Sequence, residues 1–412
     1  GDMTIDITGV AESEWSAKFL RVDELAFGYD ATEEENELDR TLREPKRMIA
    51  ARIGGEMVGI AGAYSFDMTV PGGSAPMAGV TWVGVLPTHR RRGVLTAMMR
   101  HQLHDLHESQ GEAVAALYAS ESVIYGRFGY GQASQELRLT MHRGANALRR
   151  TSAPDSSLTL QLCDPKEVLP SLKPVYEVER AQRPGMLARD NRWWQVTTFW
   201  PERRRDGASS LRAVLLSDES RLRGYAIFAI KDDWVEGRPA SVVRVREMFA
   251  TDPEAYAGVW RFLLDIDLTA TVEARSRPVD DPLLHLLTDP RGARPVMTDG
   301  LYVRLVDLDR ALCQRTYDAP VDAVLDVTDD FCPWNAGRWR LSGDTAGATC
   351  TRTTDSADVS LSSTELGAAY LGGTSLGTLA RAGRVSEQTR GALTVVDRAF
   401  RSEPLPWCPV MF

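Results

Sequence analysis

The chain has 412 residues, a formal net charge of −9, 43% hydrophobic residues and 25% charged residues. At about 150 residues per domain this length predicts two to four domains, with three as the working number. The composition is that of a folded globular protein and excludes disordered, collagen-like and coiled-coil chains; the acidic balance argues against nucleic-acid binding, and no apolar run reaches the roughly 18 residues that cross a membrane.

The opening Gly1-Asp2-Met3 lacks the basic and then apolar layout of a secretory signal, so a cytoplasmic protein is expected. Cys163, Cys313, Cys332, Cys350 and Cys408 are scattered and odd in number, without a Cys-x-x-Cys pair, and read as reduced thiols. Residues 1–50 hold thirteen acidic and six basic side chains, densest from Glu33 to Asp39. That run is either a solvated helix face or a negative field that draws in a cationic substrate.

In chain order, Ser13–Ala26 has helical composition, and Arg47–Ile53 and Glu56–Tyr64 read as paired strands turning at Gly54-Gly55. A second turn at Val70-Pro71-Gly72-Gly73 precedes an apolar strand, Ala78–Leu86. After Pro87 comes the basic run His89-Arg90-Arg91-Arg92-Gly93, then a helix from Val94 to about Gln110 and a strand at Ala113–Ala119. The chain turns polar and small near 145–157, a boundary. The middle segment repeats the first in outline: Arg223–Ala229 echoes Val58–Tyr64, and Val242–Ala250 followed by Asp252-Pro253, a helix cap and first-turn pair, echoes the strand before Pro87. The basic glycine run is absent there, so a duplicated fold whose second copy has lost an anion site is expected. A second boundary falls near 289–294. The last segment predicts strands at Gly300–Val306, Ala323–Val327 and Ala348–Arg352, a hairpin at Trp334–Trp339, helices at Ser362–Leu371, Gly377–Arg381 and Gln388–Phe400, and an apolar tail tied down at the chain end.

The strongest chemical signal runs from Trp82 to Leu95: strand, basic loop, Gly93, helix. A helix N-terminus offers unpaired N–H groups and the positive end of its dipole, so a junction without a side chain at Gly93 can wrap a pyrophosphate, with Arg90, Arg91 and Arg92 adding charge. A basic surface turn is the plainer reading. Arg90-x-x-Gly93-x-Leu95 after Val83-x-Val85 resembles the acetyl-coenzyme A signature of the GNAT N-acetyltransferases. That resemblance implies that the backbone of Val83 and Val85 pairs with the pantetheine arm and that Gly93, Val94 and Leu95 hold the diphosphate.

Pro87–Gly93, Ala119-Ser120-Glu121 and Ile124–Gly131 together resemble the "enhanced intracellular survival" (Eis) acetyltransferases. The resemblance implies an α+β chain of tandem GNAT-like mixed α/β domains, 1–150 binding acetyl-CoA and 151–292 degenerate, followed by a sterol-carrier-protein-like α+β domain, 293–412. It also implies transfer of acetyl from acetyl-CoA to aminoglycoside amines, and to some lysines, by a homohexamer. Amine acetylation needs a proton taken from nitrogen, a stabilised oxyanion and a proton given to the departing thiolate. Tyr125 suits the last role, because a phenol with a reference pKa of about 10 is protonated at neutral pH. By resemblance it is the general acid, and the C-terminal carboxylate, on Phe412, the base. Phe27 and Trp82 match aromatic positions, and Asp30 an acidic one, of the family's substrate pocket; read alone, the aromatics are ordinary core and Asp30 a solvated loop. Two positions depart from the family: Met411 stands where an acidic residue can occur, and Tyr118 where a histidine can.

Two other patterns carry no expected chemistry. Gly373–Gly377 fits Gly-x-Ser-x-Gly, but no histidine follows it. His101, His104 and His107 spread over too much of a helix to hold one metal ion and read as a solvated face. Rival functions are protein-lysine acetylation and, from the last segment alone, lipid or sterol carriage.

Overall fold

The computed structural model describes residues 3–143, 148–149 and 157–412, so the boundary expected near 145–157 lies largely outside the described residues. Strand β1 (Asp6–Gly9) leads through two short helical turns to α1 (Leu20–Phe27), which stops at Gly28, and α2 (Glu33–Leu42) follows. Thr32 and Glu35 form a capping box there, so Glu33, Glu34 and Glu35, the start of the acidic run, occupy a helix first turn, where they complement the dipole. Strands β2 (Ile49–Ile53), β3 (Glu56–Val70) and β4 (Gly73–Val85) form a meander with the two expected turns. Helix α3 (Val94–Glu108), β5 (Val114–Tyr118) and the short β6 (Gly131–Gln132) come next. Helix α3 buries Val94, Met98, Met99, Leu103 and Leu106 against the sheet, the spacing of one helical face.

The chain continues through β7 (Gln135–His142), β8 (Thr159–Cys163), α4 (Leu169–Arg180), α5 (Asn191–Thr198), β9 (Arg212–Ser217), β10 (Leu222–Lys231), the small hairpin β11 (Trp234–Val235) and β12 (Arg238–Pro239), β13 (Ser241–Ala250), α6 (Pro253–Leu264), β14 (Thr269–Pro278), α7 (Leu283–Leu286) and β15 (Val296–Asp299). It ends with β16 (Leu301–Leu305), α8 (Leu308–Cys313), β17 (Val321–Thr328), β18 (Gly337–Asp344), β19 (Gly347–Arg352), β20 (Val359–Ser362), α9 (Ser363–Ala369), α10 (Leu376–Arg381), β21 (Ser386–Glu387) and α11 (Ala392–Phe400).

Three main sheets result, ordered β1-β2-β3-β4-β5-β16-β6, β15-β7-β14-β13-β10-β9-β8 and β19-β18-β17-β20-β21. The described chain divides into two compact units. One comprises Gly1–Ser134, Pro184–Ala188 and Gly300–Phe412, with the first and third sheets; the other comprises Gln135–Arg183 and Arg189–Asp299. Strands therefore do not follow the expected sequence segments. From 1–150, β7 joins the second sheet; from 293–412, β15 joins the second sheet and β16 lies between β5 and β6 in the first.

Within the first unit, Arg304 of β16 is fully buried and makes two bonds, 2.6 and 2.7 Å, to Asp329, tying the first sheet to the segment before β18. The hairpin expected at Trp334–Trp339 is instead a helical turn, Pro333–Asn335, followed by β18. Asn335 is buried as an anchor: its side-chain amide donates to the Val306 carbonyl at 2.9 Å and its oxygen accepts from the Leu308 N–H at 3.0 Å. The terminal tail is tied down as expected. Trp407 is 1% exposed, and the Tyr118 hydroxyl donates to the Cys408 carbonyl at 2.7 Å.

The histidine face of α3 is not fully solvated. His107 stacks on Trp334 with ring centroids 3.9 Å apart, and its Nδ1 lies 2.5 Å from the buried Asp307 carboxylate. His104 meets the same tryptophan edge-on. Ser375 caps α10, accepting from the Thr378 N–H and donating to Asp397, which gives this serine a structural use.

Candidate active site

Strands β4 and β5 run parallel and pair only from Met77–Gly79 to Val114–Ala116. Past Gly79 they part. A register shift against β3 falls between Ile60 and Gly62, and Trp82 adopts a left-handed backbone, φ 50°. Such a bulge bends the strand and raises its twist, swinging Val83–Val85 away from β5. The wedge opens into a cleft of about 580 Å³, walled by Val83, Gly84 and Val85 on one side and by Ser120, Glu121, Ile124 and Tyr125, beyond the end of β5, on the other.

The floor of this cleft is the start of α3. Gly93 is its N-cap at φ 81°, and Gly93, Val94, Leu95 and Thr96 all line the cavity. A Cβ at Gly93 would meet nothing within 4 Å, so the backbone conformation, not crowding, calls for glycine. No side chain caps α3, which leaves its first N–H groups to the cleft. Arg91, at φ 61°, and Gly93 frame the loop with two left-handed residues. Arg90 and Arg91 line the cavity, whereas Arg92 points elsewhere, its Nη1 3.9 Å from the Met3 sulfur. Arg127 lines the opposite rim. Its motif is visible in the sequence, but its place as a third arginine of the cleft follows only from the turn at Tyr125–Phe128.

Tyr125 opens that turn and packs between Phe128 and Tyr130. Burial pushes its phenol up to about 12, outweighing the nearby Arg127 cation. Phe27, at the end of α1, reaches the same cleft. The other two expected substrate residues lie outside it. Trp82 joins an aromatic row in which it meets Trp15, Phe19 and Tyr64, and Tyr64 in turn meets Phe66. Asp30 is on an exposed loop, its side chain 94% exposed and 3.7 Å from the Arg21 guanidinium. The Phe412 ring completes the aromatic row, 5.1 Å from Phe66 and 5.4 Å from Tyr118. Its seat depends on Gly79, where a Cβ would come within 3.2 Å of that ring and 2.5 Å of Phe66. The chain end thus sits where β4 and β5 begin to part.

The second unit repeats the wedge without the cradle. Strands β13 and β14 pair in parallel from Ser241–Val245 to Thr269–Ala274, with α6 between them in sequence. Asp252 caps α6, accepting from the Ala255 N–H, and Arg223 bonds to both Asp252 and Glu254. Where the strands part, the buried Arg277 guanidinium spans the gap, bonding the Met248 carbonyl at 3.0 Å and Asp281 at 2.7 Å.

Models of the acetyltransferase (GNAT) domain match residues 6–133 and 185–305, and a sterol carrier protein domain model matches 308–409. The chain is 47% identical to an uncharacterised N-acetyltransferase of Streptomyces avermitilis, over 99% of each chain. It is 34% identical to the N-acetyltransferase Eis of Mycobacterium tuberculosis, over 97% of this chain and 98% of that one. The crystal structure of Eis1 from Mycobacterium abscessus superposes with a TM-score of 0.83 at 33% identity, covering 99% of this chain and all of that one. With a parted β4–β5 wedge, an uncapped glycine cradle, a second GNAT domain and a sterol-carrier-like domain in that order, the chain belongs to the Eis family of GNAT N-acetyltransferases.

Proposed function

We propose that the protein transfers acetyl from acetyl-CoA to amines of polycationic, aminoglycoside-like molecules. The observation that carries this reading is the meeting of three features in one cleft: the free edge of Val83–Val85, the uncapped α3 start with Arg90 and Arg91, and the Tyr125 phenol. The residues fit acetyl-CoA. Gly93, Val94 and Leu95 would hold its diphosphate through backbone N–H groups, the two arginines would neutralise it, and Val83 and Val85 would pair with the amides of its pantetheine arm. When bound, it supplies an activated thioester.

The chain's own groups then manage protons. The attacking amine gives up a proton to the Phe412 carboxylate, directly or through water, as its nitrogen bonds the acetyl carbon. Tyr125 donates its phenolic proton to the sulfur as the carbon–sulfur bond breaks, and burial keeps that proton in place at neutral pH. The exposed carboxylates of Glu33, Glu34 and Glu37 on α2, with Asp30, provide a negative approach for a polycation. Protein lysines are a second class of amine open to the same chemistry, and a cytoplasmic homohexamer is the assembly this reading carries. Release of free CoA thiol, measured across a panel of aminoglycosides and lysine peptides, tests it. Turnover on aminoglycosides is expected; turnover on lysine peptides alone would move the substrate, and turnover on neither would end the reading.

A further inference from the structure

Helix α3 has two faces, and only one is spent on the core. Val94, Met98, Met99, Leu103 and Leu106 are buried. The opposite stripe, Gly93, Thr96, Ala97, Arg100, His101 and His104, lines a separate open groove of about 520 Å³. These positions recur at the three- and four-residue spacing of a single helical face. The groove shares Gly93 and Thr96 with the acetyl-CoA cleft, so the two cavities join at the anion cradle and leave it in different directions.

Arg100 is the strongest charge along this stripe. It is exposed, and its guanidinium lies 4.7 Å from the centre of the Phe331 ring. Among the described residues no carboxylate forms an ion pair with it, unlike Arg47, Arg52 and Arg304 of the same unit, each of which meets an acidic partner. Resting on an aromatic face limits where the guanidinium can point and leaves its N–H fork unspent. The rise over the seven residues from Gly93 to Arg100 is about 10 Å. One ribose and an arginine side chain bridge that span.

We infer that Arg100, flanked by His101, binds the 3′-phosphate on the ribose of coenzyme A and so makes the enzyme discriminate against cofactors lacking that phosphate. This rests on the acetyl-CoA reading of the cleft. A diphosphate seated at Gly93 leaves the nucleoside end to run along one of the two joined cavities. The pantetheine arm follows the Val83–Val85 edge, so the groove along α3 remains for the ribose and its phosphate. A guanidinium is suited to that dianion because two N–H groups can bond two of its oxygens.

The test is calorimetric titration of the full chain with CoA and with 3′-dephospho-CoA. Wild type is expected to bind CoA at least tenfold more tightly. Arg100→Ala should lose about that factor for CoA and keep its affinity for dephospho-CoA, and Arg100→Lys should recover part of it. A merely structural role would weaken both ligands equally, which would overturn the proposal. Equal affinity of wild type for the two ligands would overturn it as well while leaving the acetyl-CoA cleft intact, whereas binding of neither would overturn the cleft reading itself and this proposal with it. Arg92→Ala, whose side chain lies outside both cavities, should leave the preference unchanged; loss of the preference in that variant would assign it to general charge and reject Arg100.

Discussion

The two GNAT-like halves share a wedge of parted parallel strands followed by a helix, yet they treat the helix start in opposite ways. In the first, α3 begins at a left-handed glycine with no side-chain cap and with arginines alongside. In the second, α6 begins at Asp252, whose carboxylate already takes the N–H that a phosphate would use, with Glu254 two residues further on. Arg223 neutralises both acids and Arg277 fills the gap between the strands. Closing the helix start and the gap between the strands thus needs no change of fold. An internal carboxylate and an internal guanidinium take the places of the ligand's charge and of its arm.

This contrast can be broken at the chain end first. Appending one residue after Phe412 turns the proposed base into a neutral amide and moves the new carboxylate about 3.5 Å away. Turnover should fall by roughly 100-fold or more, the scale of a lost acid–base group. Phe412→Ala keeps the carboxylate and loses the ring's contacts with Phe66 and Tyr118, so a smaller loss is expected. Steady-state rates at saturating acetyl-CoA decide, and the reverse order would make the tail a packing element. Tyr125→Phe should likewise lose about 100-fold in turnover with unchanged CoA affinity.

A second intervention targets the cradle. Gly93→Val forces a β-branched residue into φ 81° and should weaken CoA binding by about 2 kcal/mol, roughly 30-fold, in a folded protein. Calorimetry checks this, and its stoichiometry sharpens the comparison, because one CoA per chain is expected with α6 already capped. Asp252→Ala should leave CoA binding alone and cost about 1–2 kcal/mol of stability through the lost cap. The bond from Arg223 holds the Asp252 carboxyl well below the usual carboxylate range. Its stabilisation is therefore full at neutral pH and fades as pH drops below about 4, which melting curves of wild type and variant would reveal as converging. The smallest effect concerns Tyr125. With its phenol raised to about 12, turnover at saturating substrate should not decline between pH 7 and 10, where an ordinary tyrosine would begin to lose its proton.

Local signals were legible because they are local. The turn at Gly54-Gly55, the Asp252 cap and the strand–glycine–helix junction each need only a few adjacent residues, and the structure has all of them. Pairing partners were not. Residues 135–142 and 301–305 alternate or run apolar like any strand, and nothing in that pattern says which sheet they enter. The aromatic row joining Trp82 to Phe412 was hidden for the same reason: Trp82 and Phe66 come from adjacent strands, but Phe412 arrives from the far end of the chain. Trp334–Trp339 looked like a hairpin because Asn, Ala and Gly form turns; burial of Asn335 under Val306 and Leu308 gave those residues another use. Arg127 sat in plain view inside a recognised motif, and only the turn that aims it at the cleft gives it a role.

The placement of β16 between β5 and β6 has a consequence for biosynthesis. As the chain leaves the ribosome, β5 emerges with one edge open, and the strand that closes it is made only after the whole second unit, which the chain enters after Ser134 and leaves before Gly300, two residues joined by a bond from the Gly300 N–H to the Ser134 carbonyl. At about 5–20 residues per second the open edge would persist for roughly 10–40 s. During that interval the second unit can fold as an insertion while the first sheet waits for its closing strand, and a nascent chain released before Leu305 would expose the edge of β5 to other chains.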